Sequence, residues 1–344
     1  MASQKLFITG ATGYIGGSVL EAIVHKFPAL QITALLRVEP PAFKERYPNV
    51  QVVQGSFDDF AVIEKATTDA DIIIHTGDID HEGCANAILS GLSKKTTKGF
   101  LIHLSGTGCI FDLLENARDG KANPKIWSDI DDIEKIYNLP DEAPHHKIDR
   151  NIADASNDLI KTVTICPPDI YGPGKGVGGR YSFMVPLFVE TILKTTKEPF
   201  YLGAGENMRA ITHIDDVVSL FILILENALR GGGDVTWGRE GFYFAVADEI
   251  PWKPAAEAIC QLGKAAGWLG ADITKAVSYD AKAMDKLLPN AMVPSLALYL
   301  WGLNSRADSA RARKLGWEPT GDFWTVLKED VERAVERVNK EVSG

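Results

Sequence analysis

The sequence predicts an α/β fold built on a doubly wound parallel sheet. Three features predict it: a glycine-rich turn joining an apolar strand to an apolar helix near the N-terminus, strand-like runs alternating with helical patterns through the first half, and strand runs that are apolar throughout. The glycine turn is the most specific of these. Residues 9–17 read Thr-Gly-Ala-Thr-Gly-Tyr-Ile-Gly-Gly, so Gly10, Gly13 and Gly16 follow the strand 6–8 directly and precede Val19, Leu20, Ala22 and Ile23. Small residues are needed where a backbone turns tightly, admits phosphates to its amides and packs a helix on a strand.

The helix that follows adds unpaired N–H groups and a positive dipole end. Strand, glycines and helix together form a seat for a dinucleotide pyrophosphate, which makes the sheet Rossmann-type. Gly10, Thr12, Gly13, Tyr14, Ile15 and Gly16 are the expected contacts. Strand runs are expected at 5–9, 32–36, 50–53, 72–74, 100–104 and 163–166. Runs such as Ile72-Ile73-Ile74 lack alternation, as strands covered on both faces do. Ligands of such sheets bind at the carboxyl ends of the strands. Residues 111–144 interrupt the rhythm with an acidic stretch that includes Asp129, Asp131, Asp132 and Glu134, readable either as a solvated insertion or as a lid. A final helix from about Asp322 carries an apolar stripe of Phe323, Val326, Leu327, Val331, Val335 and Val338. The expected organisation is a dinucleotide-binding domain over 1–174, rejoined by 211–232, and a smaller, mixed α/β substrate region over 175–210 and 233–344.

With 344 residues, 45% of them hydrophobic and 24% charged, the chain has room for one large domain and a smaller one. A net charge of -10 without a basic patch argues against nucleic acid and anionic membranes, and leaves a small molecule as the expected partner. Cys84, Cys109, Cys166 and Cys260 lack C-x-x-C spacing and read as reduced thiols. The N-terminus enters the first strand without a signal-type run, and the apolar run 217–225 is too short for a bilayer, so the expected location is cytoplasmic.

Several further segments resemble the extended short-chain dehydrogenase/reductase family, in its epimerase/dehydratase-like branch. Ile74-His75-Thr76-Gly77 resembles the family's fourth-strand segment, and His103-Leu104-Ser105-Gly106-Thr107 the fifth-strand segment that bears a catalytic serine or threonine. Residues 166–174, Cys-Pro-Pro-Asp-Ile-Tyr-Gly-Pro-Gly, resemble the loop that closes over the nicotinamide, which implies roles for Pro167, Asp169 and Ile170 beside Thr76 and Gly77. Residues 203–209 and 212–217 resemble substrate-side motifs, and 306–308 with 315–319 a C-terminal signature. The resemblance also implies that His75, His103 and His213 are structural, so no metal is expected; His81-Glu82 reads as a helix start. A homodimer is an expectation by analogy alone.

Two departures bear on chemistry. Arg37 ends the second strand, where an acidic residue selects NAD and an arginine accommodates the extra phosphate of NADP, so NADP(H) is expected over NAD(H). After the third strand the family's Gly-Asp is Gly55-Ser56-Phe57, leaving Ser56 to bond the adenine edge without charge. The family's Tyr-x-x-x-Lys is absent. Its helix reads Pro-His-His-Lys-Ile-Asp-Arg-Asn over 144–151, and aligning Asp154 with the family's following acidic position puts His146 for the tyrosine and Arg150 for the lysine. With Ser105 or Thr107 as the other oxyanion contact, these are the expected catalytic residues. A shifted register pairs His145 with Asp149, an arrangement suited to a general base. The resulting expectation is an NADP(H)-dependent oxidoreductase that reduces a carbonyl or imine of a small metabolite. Its alternatives are a nucleotide-sugar epimerase/dehydratase-like enzyme and a catalytically silent NADP-binding sensor.

Overall fold

The computed structural model describes residues 4–112, 119–288 and 295–343. Seven strands form one sheet in the spatial order Phe242–Phe244, Ile160–Cys166, Gly99–Leu104, Ile72–His75, Lys5–Thr9, Gln31–Leu36, Gln51–Gln54. Every pairing within it is parallel. The side-chain period of two sorts the strand residues between two cores. Leu6, Ile8, Ile32, Ile72, Ile74 and Ile102 pack with Val19, Leu20 and Ile23 of the helix Tyr14–Lys26 and with the helix Ile214–Leu229. Their neighbours Phe7, Leu35, Ile73 and Leu101 face the other way, against Ile63, Ile88, Ile148 and Ile152. Burial on both faces is therefore why these strands read as unbroken apolar runs. Each such side chain contributes about 1.5–3 kcal/mol on burial.

The strand Lys5–Thr9 pairs with Gln31–Leu36 on one side and Ile72–His75 on the other. Chain order reverses there, which opens the crevice at the carboxyl ends where this architecture binds ligands. The six expected strand runs are present. The seventh strand, Phe242–Phe244, was not marked by the pattern: three aromatic residues are too short to show a period. It carries the chain back into the large sheet from within 233–344.

A third core gathers Phe188, Phe200, Trp252 and Trp301, all fully buried, beneath two smaller sheets. One sheet orders Asp248–Pro251, Met208–His213 and Asp169–Tyr171; the other pairs Val277–Tyr279 with Phe200–Leu202. The helix Phe323–Ser343 lays Phe323, Leu327, Val331 and Ala334 into this core, with Val326 and Val335 at its edge. In the acidic stretch, 113–118 lie outside the described residues, and the remainder is not a solvated insertion. Asp129, Ile136 and Tyr137 are buried, and Trp127–Ser128 pairs with Ala307–Asp308. No helix among the described residues is long and apolar enough to cross a membrane.

Candidate active site at the strand ends

The glycine turn forms because Gly10 and Gly16 stand where a side chain cannot. Gly10 has φ +73°, and a Cβ on it meets the Thr76 carbonyl oxygen at 2.2 Å. At Gly16 a Cβ meets Gly10 O and Thr76 Oγ1, both at 2.3 Å. Gly13 differs, since its Cβ meets only Gly10 O at 3.1 Å and otherwise open space. Gly13 also N-caps the helix Tyr14–Lys26 without a side-chain bond and no acidic residue occupies the first turn, so the helix end offers N–H groups and positive potential to an anion. A cavity of about 350 Å³ continues from this turn, lined by Gly10, Thr12, Leu35, Leu36, Arg37, Val38, Gly55 and Phe57. The helix-end N–H groups suit a pyrophosphate, and the adjoining lining, with Arg37 and the Phe57 ring, suits an adenosine, so the residues present fit a dinucleotide.

Within that region the expected residues have distinct surroundings. Arg37 is exposed, and no described hydrogen bond or ion pair uses it. Ser56 gives both its N–H and its hydroxyl to Asp59, at 2.6 and 2.9 Å, so the hydroxyl is already committed. The Phe57 ring lies against Gly77, where a Cβ would be 2.6 Å from its Cζ, and edge-on to His81. Thr76 donates to Thr9 O at 2.7 Å and holds two strand ends together. Tyr14 donates to Gly172 O at 2.6 Å, fastening the turn to the later loop. Pro167 O accepts from Thr107 N at 3.0 Å, Asp169 is paired with Arg209 at 2.6 Å, and Ile170 is partly buried against the first core.

At the end of Gly99–Leu104, Ser105 is buried and donates to Asp149 Oδ2 at 2.5 Å. His103 Nε2 stands 3.3 Å from Asp149 Oδ1, and the His103 ring stacks on His75 with centroids 5.2 Å apart. Burial first, then His103 and His81, push His75 well below its usual range, so it is the neutral imidazole bonded to Thr9. His145 is the residue above this layer. It N-caps the helix His146–Asp154 at φ 67°, a left-handed conformation uncommon for any residue but glycine. Its Nδ1 bonds Asp80 Oδ1 at 2.8 Å, and its Nε2 lies over the turn 106–108, 3.4 Å from a Cβ placed on Gly106 and 3.0 Å from one on Gly108. Burial works against the Asp80 charge, yet the His145 hydrogen bond and charge outweigh it and hold the Asp80 carboxyl below the usual range.

The structure thus brings Ser105 together with Asp149 and sets the His145–Asp80 pair over the turn that follows Ser105. His146 and Arg150 occupy the adjacent strip of the helix and converge on Asp141 instead, at 3.9 and 3.1 Å. His146 is buried with neither ring nitrogen hydrogen-bonded, and Arg150 is about one-third exposed. Thr107 accepts from Ser305 at 3.0 Å, away from this helix. Sequence reasoning missed Asp80, for which no motif position exists; the side-chain pair of His145 with Asp149 that a shifted register offered does not form, since His145 bonds Asp80 and Asp149 accepts from Ser105. His81 caps the helix Glu82–Ser93 by accepting from Cys84 N, and His213 caps Ile214–Leu229. Among the described residues no group of His, Cys, Asp and Glu could hold a metal.

Residues 2–90 match the NmrA-like family, and residues 146–237 match the NAD dependent epimerase/dehydratase family. Oxidase ucsJ from Acremonium sp is 29% identical over 93% of this chain and 94% of its own. The 4-hydroxy-2-methyl-3-oxo-4-farnesyl-3,4-dihydroquinoline-1-oxide ketoreductase of Stigmatella aurantiaca is 20% identical over 90% of each chain. In fold the chain is similar to dTDP-glucose 4,6-dehydratase from Streptomyces venezuelae with NAD bound, at a TM-score of 0.64, 18% identity and 97% coverage of both chains.

Proposed function

For a chain with the fold of the epimerase/dehydratase-like short-chain dehydrogenases, we propose the activity of an NADP(H)-dependent oxidoreductase that exchanges hydride with a carbonyl or imine carbon of a small molecule. The oxidase and ketoreductase names of two full-length relatives support this reading. The observation that carries it is the placement of His145, left-handed, bonded to Asp80 and turned toward the loop beside Ser105. Such a backbone costs of order 1–3 kcal/mol and is characteristic of functional positions.

A nicotinamide bound in the seat supplies or takes up the hydride. Asp80, accepting from Nδ1–H, fixes the tautomer of His145 so that Nε2 is the atom that meets the reacting side. His145 then serves the proton exchange that accompanies hydride transfer. Ser105, whose hydrogen is committed to Asp149, offers oxygen lone pairs to a substrate hydroxyl or amine and positions it. Arg37 is the residue for the 2′-phosphate: it stands free at the rim of the cavity, among whose lining residues there is no carboxylate.

The test follows NADPH absorbance with a panel of aromatic ketones, quinones and cyclic imines. His145→Phe is expected to lower kcat about a hundredfold or more, the usual scale for general acid–base groups, with His146→Phe within about threefold of wild type. The reverse pattern returns the role to His146. Bound but unconsumed NADPH favours a sensor, and cofactor released only on denaturation favours an epimerase-like cycle.

A further inference from the structure

The tyrosine absent from the helix at 146–154 has a counterpart elsewhere. Tyr299 sits on the helix Leu296–Trp301, and a Cβ placed on Gly108 would lie 2.0 Å from its hydroxyl oxygen and 3.0 Å from His145 Nε2. The two groups therefore converge on one point, at the end of the strand that bears Ser105, and only glycine at 108 lets the phenol in. The approach is braced. Arg209, fully buried and ion-paired with Asp169, donates to Tyr299 O at 3.1 Å and to Leu303 O at 3.0 Å. The same guanidinium lies 4.5 Å above the Phe111 ring, which packs on the Tyr299 ring with centroids 4.3 Å apart. A ring serving packing alone needs no hydroxyl, and among the described residues no hydrogen bond uses this one.

On the oxidoreductase reading above, we propose that Tyr299 is the proton donor that touches the substrate, with His145 and Asp80 as the relay behind it. In the reducing direction, with the hydride that a bound dihydronicotinamide would supply to the carbonyl carbon, the carbonyl π pair moves to oxygen, and that oxygen takes the Tyr299 proton. The phenolate recovers a proton from His145 Nε2–H, and His145, its Nδ1–H held by Asp80, is reprotonated from solvent, to which Asp80 is 58% exposed. Burial, the leading influence, holds the Tyr299 phenol above its usual range, so it rests in the protonated form a donor requires.

The experiment is Tyr299→Phe, which keeps the ring against Phe111 and removes only the hydroxyl. With the same panel, kcat is expected to fall about a hundredfold while the NADPH dissociation constant stays within twofold; Tyr299→Phe combined with His145→Phe falls no further than either alone, because the two act in series. In a nitrogen-15 histidine-labelled sample, the His145 Nε2 resonance moves on Tyr299→Phe. A variant that keeps kcat within threefold of an active wild type, or an unmoved Nε2 resonance, overturns the role of Tyr299 alone. A wild type inert on every compound overturns the oxidoreductase reading and this role with it.

Discussion

Asp129 is a carboxyl with no exposed surface that accepts from Phe244 N at 3.1 Å and Arg311 N at 3.0 Å. Burial raises its pKa to about 7, overcoming the pull of those hydrogen bonds and of the Arg311 charge. Since this folded value exceeds the unfolded 3.8, the folded chain keeps a proton that the unfolded chain has lost between those pH values. The stabilisation is fully present below the window and declines as pH rises through it, by up to about 1.4 kcal/mol per unit. Denaturant midpoints measured from pH 4 to pH 7 are expected to fall in the wild type and to flatten in Asp129→Asn; equal slopes would remove Asp129 as the cause. At this scale the sequence was legible where chemistry forbids a side chain, as at Gly10 and Gly16. Asp154, the landmark that set the register on His146, is ion-paired with Arg239 at 2.7 Å, a partner that no sequence pattern announces. A histidine in the left-handed region leaves no trace in a pattern of residue types.

The loop between Asp169–Tyr171 and Met184–Thr191 shows how elements are tied around the nucleotide seat. Gly176 and Gly178 lie against Gly17 and Thr12, so close that a Cβ on either would strike their backbone. Lys175 N donates to Ser18, and from the C-terminal helix Asp330 accepts from Gly172 N at 3.2 Å and Ser182 Oγ at 2.9 Å. The apolar stripe of that helix was plain from its period, but a buried carboxylate on the same face breaks the period, and its partners are about 150 residues away in sequence. Asp330→Ala leaves two buried donors without an acceptor. The expected loss is about 2–3 kcal/mol in denaturant unfolding, with faster proteolysis inside 172–182. Unchanged stability and cleavage would mean that the loop is held by its glycine contacts alone.

On the scale of the whole molecule, the first half is legible because its inner strands are local and buried on both faces, whereas the second half assembles through distant pairings. Met208–His213 joins Asp169–Tyr171 and Asp248–Pro251, and Phe242–Phe244 returns to the large sheet; none of these short segments declares its partner. Arg209 is the clearest case. It closes a segment that resembles a substrate-side motif, and it is fully buried and braces Asp169, Tyr299 and Leu303. What the two halves share is the crevice at the strand ends, and the account rests on a nicotinamide dinucleotide occupying it. Titration calorimetry with NADPH and NADH on the wild type, Gly13→Val and Arg37→Ala tests this most directly. The expected result is one NADPH site per chain, tighter than NADH by tenfold or more, with the preference lost in Arg37→Ala and both nucleotides lost in a folded Gly13→Val protein. Wild-type protein that binds neither nucleotide, or a Gly13→Val variant that binds both unchanged, would contradict it.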